Sequence, residues 1–186
     1  FYKLGNLKKS KKIYEKIKKK GLAYNWFATK NIATILSKEK KNKEALNYLT
    51  KNFMKIKNPN THEIYDYAEF LKNNDQFEES IIYFSKVLKL VKPSNYLFSK
   101  ASDGRGVAYE RSGDWVKAES DLLNSLKATP KQAYVINYLA YSWIEKGINI
   151  EKSLKMLEEA NNLKKNDGYI IDSLGWALFK LKNFKE

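Results

Sequence analysis

Residues 99–132, SKASDGRGVAYERSGDWVKAESDLLNSLKATPKQ, decide the fold. Gly106 and Tyr109 fall three apart on one face of a first helix, and Gly113-Asp114 then breaks the pattern with turn chemistry. Trp115, Ala118, Leu122, Leu126 and Pro130 follow at helical spacing, so a second helix carries a small residue where it must approach the first closely. The spacing predicts a helical hairpin.

Working outward, the same unit recurs. Residues 26–60 place Thr29, Ile32, Ala33 and Leu36 on a first helix and Ala45, Leu49 and Phe53 on a second. Residues 61–98 do so with Ile64, Tyr67, Ala68 and Leu71, then Phe77, Ser80, Phe84 and Val87. Asn60 with Glu63 three residues on has the pattern of a capping box. Residues 133–167 repeat the plan with Ile136, Leu139, Ala140 and Trp143, then Ser153, Leu157 and Ala160. Thr129-Pro130-Lys131-Gln132 reads as the start signal of that unit, with Pro suited to a first helical turn. One residue too many between Gly147 and Ser153 predicts a looser turn at Ile148–Ile150.

Both ends of the chain are expected to fall within a unit. Leu4-Gly5-Asn6-Leu7 reads as a turn leading into a second helix with Ser10, Ile13, Tyr14 and Ile17 on one face and lysines on the other, a partial unit over 1–25. Residues 168–186 hold a first helix with Ile171, Leu174, Gly175 and Leu178 on its packing face, and Phe184 begins a second. Units of this kind are stabilised by stacking on neighbours, so 168–186 is expected to fray in the isolated segment.

The marker residues resemble the tetratricopeptide repeat, in which a large apolar residue, Leu-Gly, Tyr, Ala, an aromatic and Pro recur at fixed offsets over about 34 residues. The resemblance covers almost the whole chain and is clearest over 61–182. It implies an all-α fold, a right-handed superhelical solenoid of antiparallel helix hairpins, whose first helices line a concave peptide-binding groove. The run NYLAYSWIEKG…DSLGW is also similar to tetratricopeptide proteins of the bacterial cell envelope, with Ala140 in place of a Gly. A bacterial cytoplasmic or envelope setting is therefore expected.

Composition sets bounds on function. The chain has 186 residues, a net charge of +14 and no cysteine, which removes disulfides, thiol nucleophiles and Cys-ligated zinc. Residues 1–60 hold 17 Lys against Glu15, Glu39 and Glu44, so the whole excess lies in the first third. The basic residues are 33 Lys and two Arg, a composition unlike that of dedicated phosphate and base readers, and no nucleic acid is expected as partner. No run of 18 apolar residues spans a membrane.

Chemistry is equally restricted. His62, the single histidine, lies near Glu63 and Asp66 but lacks a nucleophile or second ligand, so no catalytic residue, metal or cofactor is expected. Asp103-Gly104-Arg105-Gly106 superficially resembles a phosphate loop but no strand precedes it, and Gly106 already serves as the small residue of a helix pair.

Carried over position by position, the family's groove residues are Tyr65, Asp66 and Glu69, then Tyr134, Asn137, Tyr138 and Tyr141, then Tyr169, Asp172 and Trp176. Phe27, Lys30, Asn31, Thr34, His62, Lys100, Asp103, Gly104, Val107, Glu110, Ile144, Ser173 and Phe179 occupy the remaining groove positions. A carboxylate clamp of the family's kind is matched at Lys30 and Lys100 but not at Thr34, Asp66 or Gly104. The expected role is a non-catalytic scaffold holding a peptide or helix of another protein, with a basic surface including Lys30, Lys38 and Lys41 attracting an acidic partner. Two other readings stand beside it: the targeting arm of a larger enzyme or transferase, and peripheral binding of anionic lipid or nucleic acid through 1–60.

Overall fold

The computed structural model describes residues 6–20 and 25–181, and these form ten α-helices and no strand. The turn expected at Leu4-Gly5 and the helix start at Phe184 lie outside the described residues. The helices fall into two compact units that divide between Leu90 and Val91.

The first unit contains α1 (Leu7–Lys19), α2 (Asn25–Lys38), α3 (Asn42–Phe53), α4 (Thr61–Lys72) and α5 (Phe77–Leu90). Helix α1 packs on α2, and short turns fold α2 against α3 and α4 against α5. Every packing position read from the sequence on α2, α3 and α4 is buried, as are Ser80, Phe84 and Val87 of α5. On α1, Ser10 is buried, whereas Ile13 faces solvent. Asn60 and Glu63 do form the capping box, with Asn60 Oδ1 accepting from the Glu63 N–H and Glu63 Oε2 accepting from the Asn60 N–H.

Rings join the two hairpins of this unit. Phe53 stacks on Tyr67 at 4.1 Å between centroids and meets Trp26 and Tyr83 at 5.6 and 5.5 Å. The buried Tyr67 hydroxyl shares a hydrogen bond with Thr50 Oγ1 at 3.1 Å and donates to Glu79 Oε1 at 3.3 Å. Burial pushes the Tyr67 phenol from its ordinary 10.0 up to about 12, with the Glu79 charge adding to the rise. The phenol therefore ionises more easily in the unfolded chain. Its contribution to stability is intact below pH 10 and declines as pH climbs through about 12. Chemical denaturation across that window is expected to show a shallower alkaline decline for Tyr67→Phe than for the wild type; identical slopes would contradict this environment for the ring.

The second unit contains α6 (Tyr96–Arg111), α7 (Trp115–Ala128), α8 (Ala133–Glu145), α9 (Ile150–Leu163) and α10 (Gly168–Lys180). Helix α6 begins ahead of residue 99 because Asn95 Oδ1 caps the Leu97 N–H. Gly106 is the close-approach residue expected: a Cβ there would lie 3.0 Å from Leu122 Cγ and 3.1 Å from the Ala118 carbonyl oxygen. Leu122, Val135, Leu139 and Trp143 form one core cluster, and Ala140, Ile144, Leu157 and Ala177 another.

Two local expectations change, at Pro130 and on α10, while the looser turn after Gly147 is found. Pro130 is not in a first helical turn, since α8 starts at Ala133 and Lys131 is left-handed at φ 62°. The Gln132 amide instead turns back to donate to the Thr129 and Ser125 carbonyls at 2.7 and 3.2 Å, closing α7. Between α8 and α9 the surplus residue is absorbed by two left-handed positions, Gly147 (φ 69°) and Asn149 (φ 51°). On α10 the buried face is Ile170, Ser173 and Ala177, while Ile171 and Gly175 are exposed, because the helix packs on α8 and α9 through that face.

Candidate functional site

On the first-helix face of the first unit the charges pair internally. Lys30 Nζ donates to both carboxylate oxygens of Asp66 at 2.8 Å, and Trp26 Nε1 donates to Asp66 at 3.1 Å, tying α2 to α4. Glu69 takes Lys72 at 2.8 Å, and the Tyr65 ring tilts against Phe84 at 6.0 Å. The basic residues singled out from the sequence divide likewise. Lys30 is half-buried in its pair with Asp66, Lys41 is bound to Glu39 at 3.0 Å, and Lys38 is exposed at the end of α2.

The second unit differs. Helical spacing brings Tyr134, Asn137, Tyr138, Tyr141 and Glu145 along one side of α8, and Tyr169, Asp172, Trp176 and Phe179 along one side of α10. Where the stripes face each other they enclose an open cavity of about 500 Å³ lined by Tyr141, Glu145, Asp172, Gly175, Trp176 and Phe179. Gly175 leaves room in its wall, since a Cβ added there meets nothing within 4 Å. A second hollow of about 150 Å³ between α6 and α8 shares Tyr141 and Glu145 with it and adds Glu110, Arg111, Tyr138, Ser142 and Lys146.

The walls are held in place. Trp176 Nε1 donates to Glu145 Oε1 at 2.5 Å, and the indole stacks on Phe179 at 5.2 Å. The Tyr138 hydroxyl donates to Glu110 Oε2 at 2.9 Å while its ring packs on the Leu122–Trp143 cluster. Burial, reinforced by Glu110, pushes the Tyr138 phenol well above its usual range. Tyr141 stays exposed, and its phenol is raised by partial burial and then by the charges of Glu145 and Asp172.

No family model matches the chain. A stretch of 114 residues, 61% of the chain, is 27% identical to a TPR repeat-containing protein of Pseudomonas aeruginosa and spans 18% of the length of that relative. Among solved structures, a tetratricopeptide repeat protein from Parabacteroides merdae superposes with a TM-score of 0.72 at 18% identity, covering 98% of this chain and 70% of that one. MamA from Desulfovibrio magneticus gives 0.63 at 21% identity, over 94% and 86% of the two chains. The chain has the fold of a tetratricopeptide-repeat array. YrrB, described as a TPR protein with an unusual peptide-binding site, also matches this array, with a TM-score of 0.63 at 16% identity over 92% and 85% of the chains.

Within the array, the groove positions carried over from the family have different surroundings. Tyr141, Asp172 and Trp176 come together around the cavity. Tyr134 and Tyr169 stand apart from it. The Tyr134 hydroxyl donates to Asp167 Oδ2 at 2.8 Å and accepts from Lys164 Nζ, and Tyr169 is exposed at the start of α10. Asn137 is half-buried, its side-chain carbonyl without a hydrogen-bond partner among the described residues. Gly104, Ile144 and Ser173 are buried, so these positions pack rather than face a groove. Ile144, for example, joins Ala140 and Leu157 in the core.

Glu145 escaped the sequence reading, although it follows Tyr141 by one helical turn and that periodicity could have found it; Gly175, read there as a packing residue, lines the cavity instead. His62 lies exposed in the first turn of α4. Among the described residues no group of His, Asp and Glu is placed to hold a metal ion, and no helix is long and apolar enough to cross a membrane.

Proposed function

We propose that the array is a non-catalytic scaffold that holds a segment of another protein against the first-helix face of its second unit. The observation that carries this reading is the aromatic cavity between α8 and α10, where Tyr141 and Phe179 remain exposed and Trp176 is fixed by Glu145. Rigid amphipathic rings around a concavity offer large contact area at small entropic cost, the property that concentrates binding energy in Tyr and Trp at interfaces. On the first-helix face of the first unit, by contrast, Lys30 is paired with Asp66 and Lys72 with Glu69.

The test is capture from a lysate of the source organism at physiological salt, with partners identified by mass spectrometry. Tyr141→Ala/Trp176→Ala is expected to lose the proteins retained by the wild type. Gly175→Leu, which fills the cavity without meeting another atom at its Cβ, is expected to lose the same ones. Tyr138 is left intact because its ring also supports the core. Capture unchanged in both variants, or abolished by moderate salt alone, would move the function to the lysine-rich first third.

A further inference from the structure

We infer that the cavity between α8 and α10 is a subsite for a cationic side chain, Lys or Arg, of the bound segment. This rests on the groove reading above and names the chemistry of what the groove takes.

The carboxylates supply the first argument. Several acidic side chains of the array are neutralised internally: Asp66 by Lys30, Glu69 by Lys72, Asp121 by Arg105 and Asp167 by Lys164. Glu145 and Asp172 stand together at one cavity, which they line from two helices; both are exposed, and neither forms an ion pair among the described residues. Residues 91–186 hold 15 Lys and Arg against 12 Asp and Glu, yet none of the described cations among them pairs with either carboxylate. Arg111 and Lys146 line the neighbouring hollow, not this cavity. The Tyr141 phenol lies in the negative field of both acids, consistent with its upward shift.

The rings supply the second argument. Aromatic faces attract ammonium and guanidinium groups through their quadrupole, more strongly where water is thinned out. Lys180 Nζ already lies 4.9 Å from the centroid of the Trp176 ring, so this indole accepts a cation in its present setting. Tyr141, Trp176 and Phe179 with two carboxylates at the rim therefore match a long cationic side chain in both its stem and its head. An acidic segment would instead place its charges against Glu145 and Asp172, at a cost.

Peptides of about a dozen random residues, displayed and selected on the purified chain at physiological salt, test this. Selected sequences are expected to be enriched in Lys or Arg. Their affinity for the Glu145→Gln/Asp172→Asn variant should fall about tenfold, because two charge-assisted contacts are weakened together. Both substitutions are at exposed positions, and the amide that replaces the Glu145 carboxylate can still accept from Trp176 Nε1, so the fold is retained. Selected peptides without Lys or Arg enrichment, or cationic peptides held equally well by the variant, would overturn the inference. Non-cationic peptides lost by Tyr141→Ala/Trp176→Ala would leave the groove standing and remove only the cation. No peptide retained by the wild type would remove both.

Discussion

Asp121→Ala is expected to lower the unfolding free energy by about 3 kcal/mol, read by urea denaturation with circular dichroism. Asp121 lies on α7 with its side chain 7% exposed and holds Arg105 of α6 in a two-pronged pair, Nε to Oδ2 at 2.6 Å and Nη2 to Oδ1 at 2.8 Å. The guanidinium is itself largely buried, 23% exposed, and lies 5.7 Å from the centre of the Tyr109 ring. Truncating the carboxylate leaves a fixed positive charge in the α6–α7 interface with its best acceptor gone. Arginine cannot shed that charge by deprotonating. The loss should thus exceed what removing one member of an exposed pair such as Lys41–Glu39 would cause. Arg105→Met/Asp121→Leu, which removes both charges and keeps the volume, is expected to recover most of it. A single-variant loss below about 1 kcal/mol would show that the pair contributes no more than a surface one.

Trp143→Ala is expected to cost about 4 kcal/mol, whereas Trp176→Ala should change stability by less than about 1 kcal/mol. The indole of Trp143 is buried against Leu122, Val135 and Leu139, and its Nε1 donates to Glu119 Oε1 at 2.5 Å, so truncation opens a cavity and strands a polar neighbour. Trp176 lines an open cavity beside Phe179, where removal of the ring exposes little that was sealed. The two variants together separate rings that build the fold from rings that face a partner. Comparable losses for both would mean that Trp176 is a packing residue and would weaken the groove reading.

Much of the fold was legible because a tetratricopeptide hairpin is written in small residues and helical spacing. Ala45, Ser80, Ala118 and Ser153 are all fully buried at the close contacts where the sequence placed them, and a methyl group at Gly106 would press on Leu122 and the Ala118 carbonyl. What escaped was side-chain polarity acting at long range. Arg105 stood in a run that looked like a phosphate loop and was set aside, yet its partner is Asp121, sixteen residues away on the next helix. Gln132 looked like the start of α8, but its amide serves the carbonyls that end α7. On α10, Ile171 and Ile170 are adjacent and equally apolar, so periodicity alone could not say which of them meets α8 and α9. For the site, family positions brought Tyr141, Asp172 and Trp176 to one cavity, but they also named Ile144 and Ser173, which are buried. A one-residue rotation of a helix separates a groove position from a core position. The local sequence does not encode that rotation.

The most direct measurement is photocrosslinking of the array to its partner from a benzophenone side chain placed at residue 141 or at residue 116. Tyr141 lines the cavity, while Val116, 78% exposed at the start of α7, lies outside it. Crosslinks to one partner segment from residue 141 and none from residue 116 are what this account predicts. Equal crosslinking from both positions, or crosslinking from residue 116 alone, would contradict it.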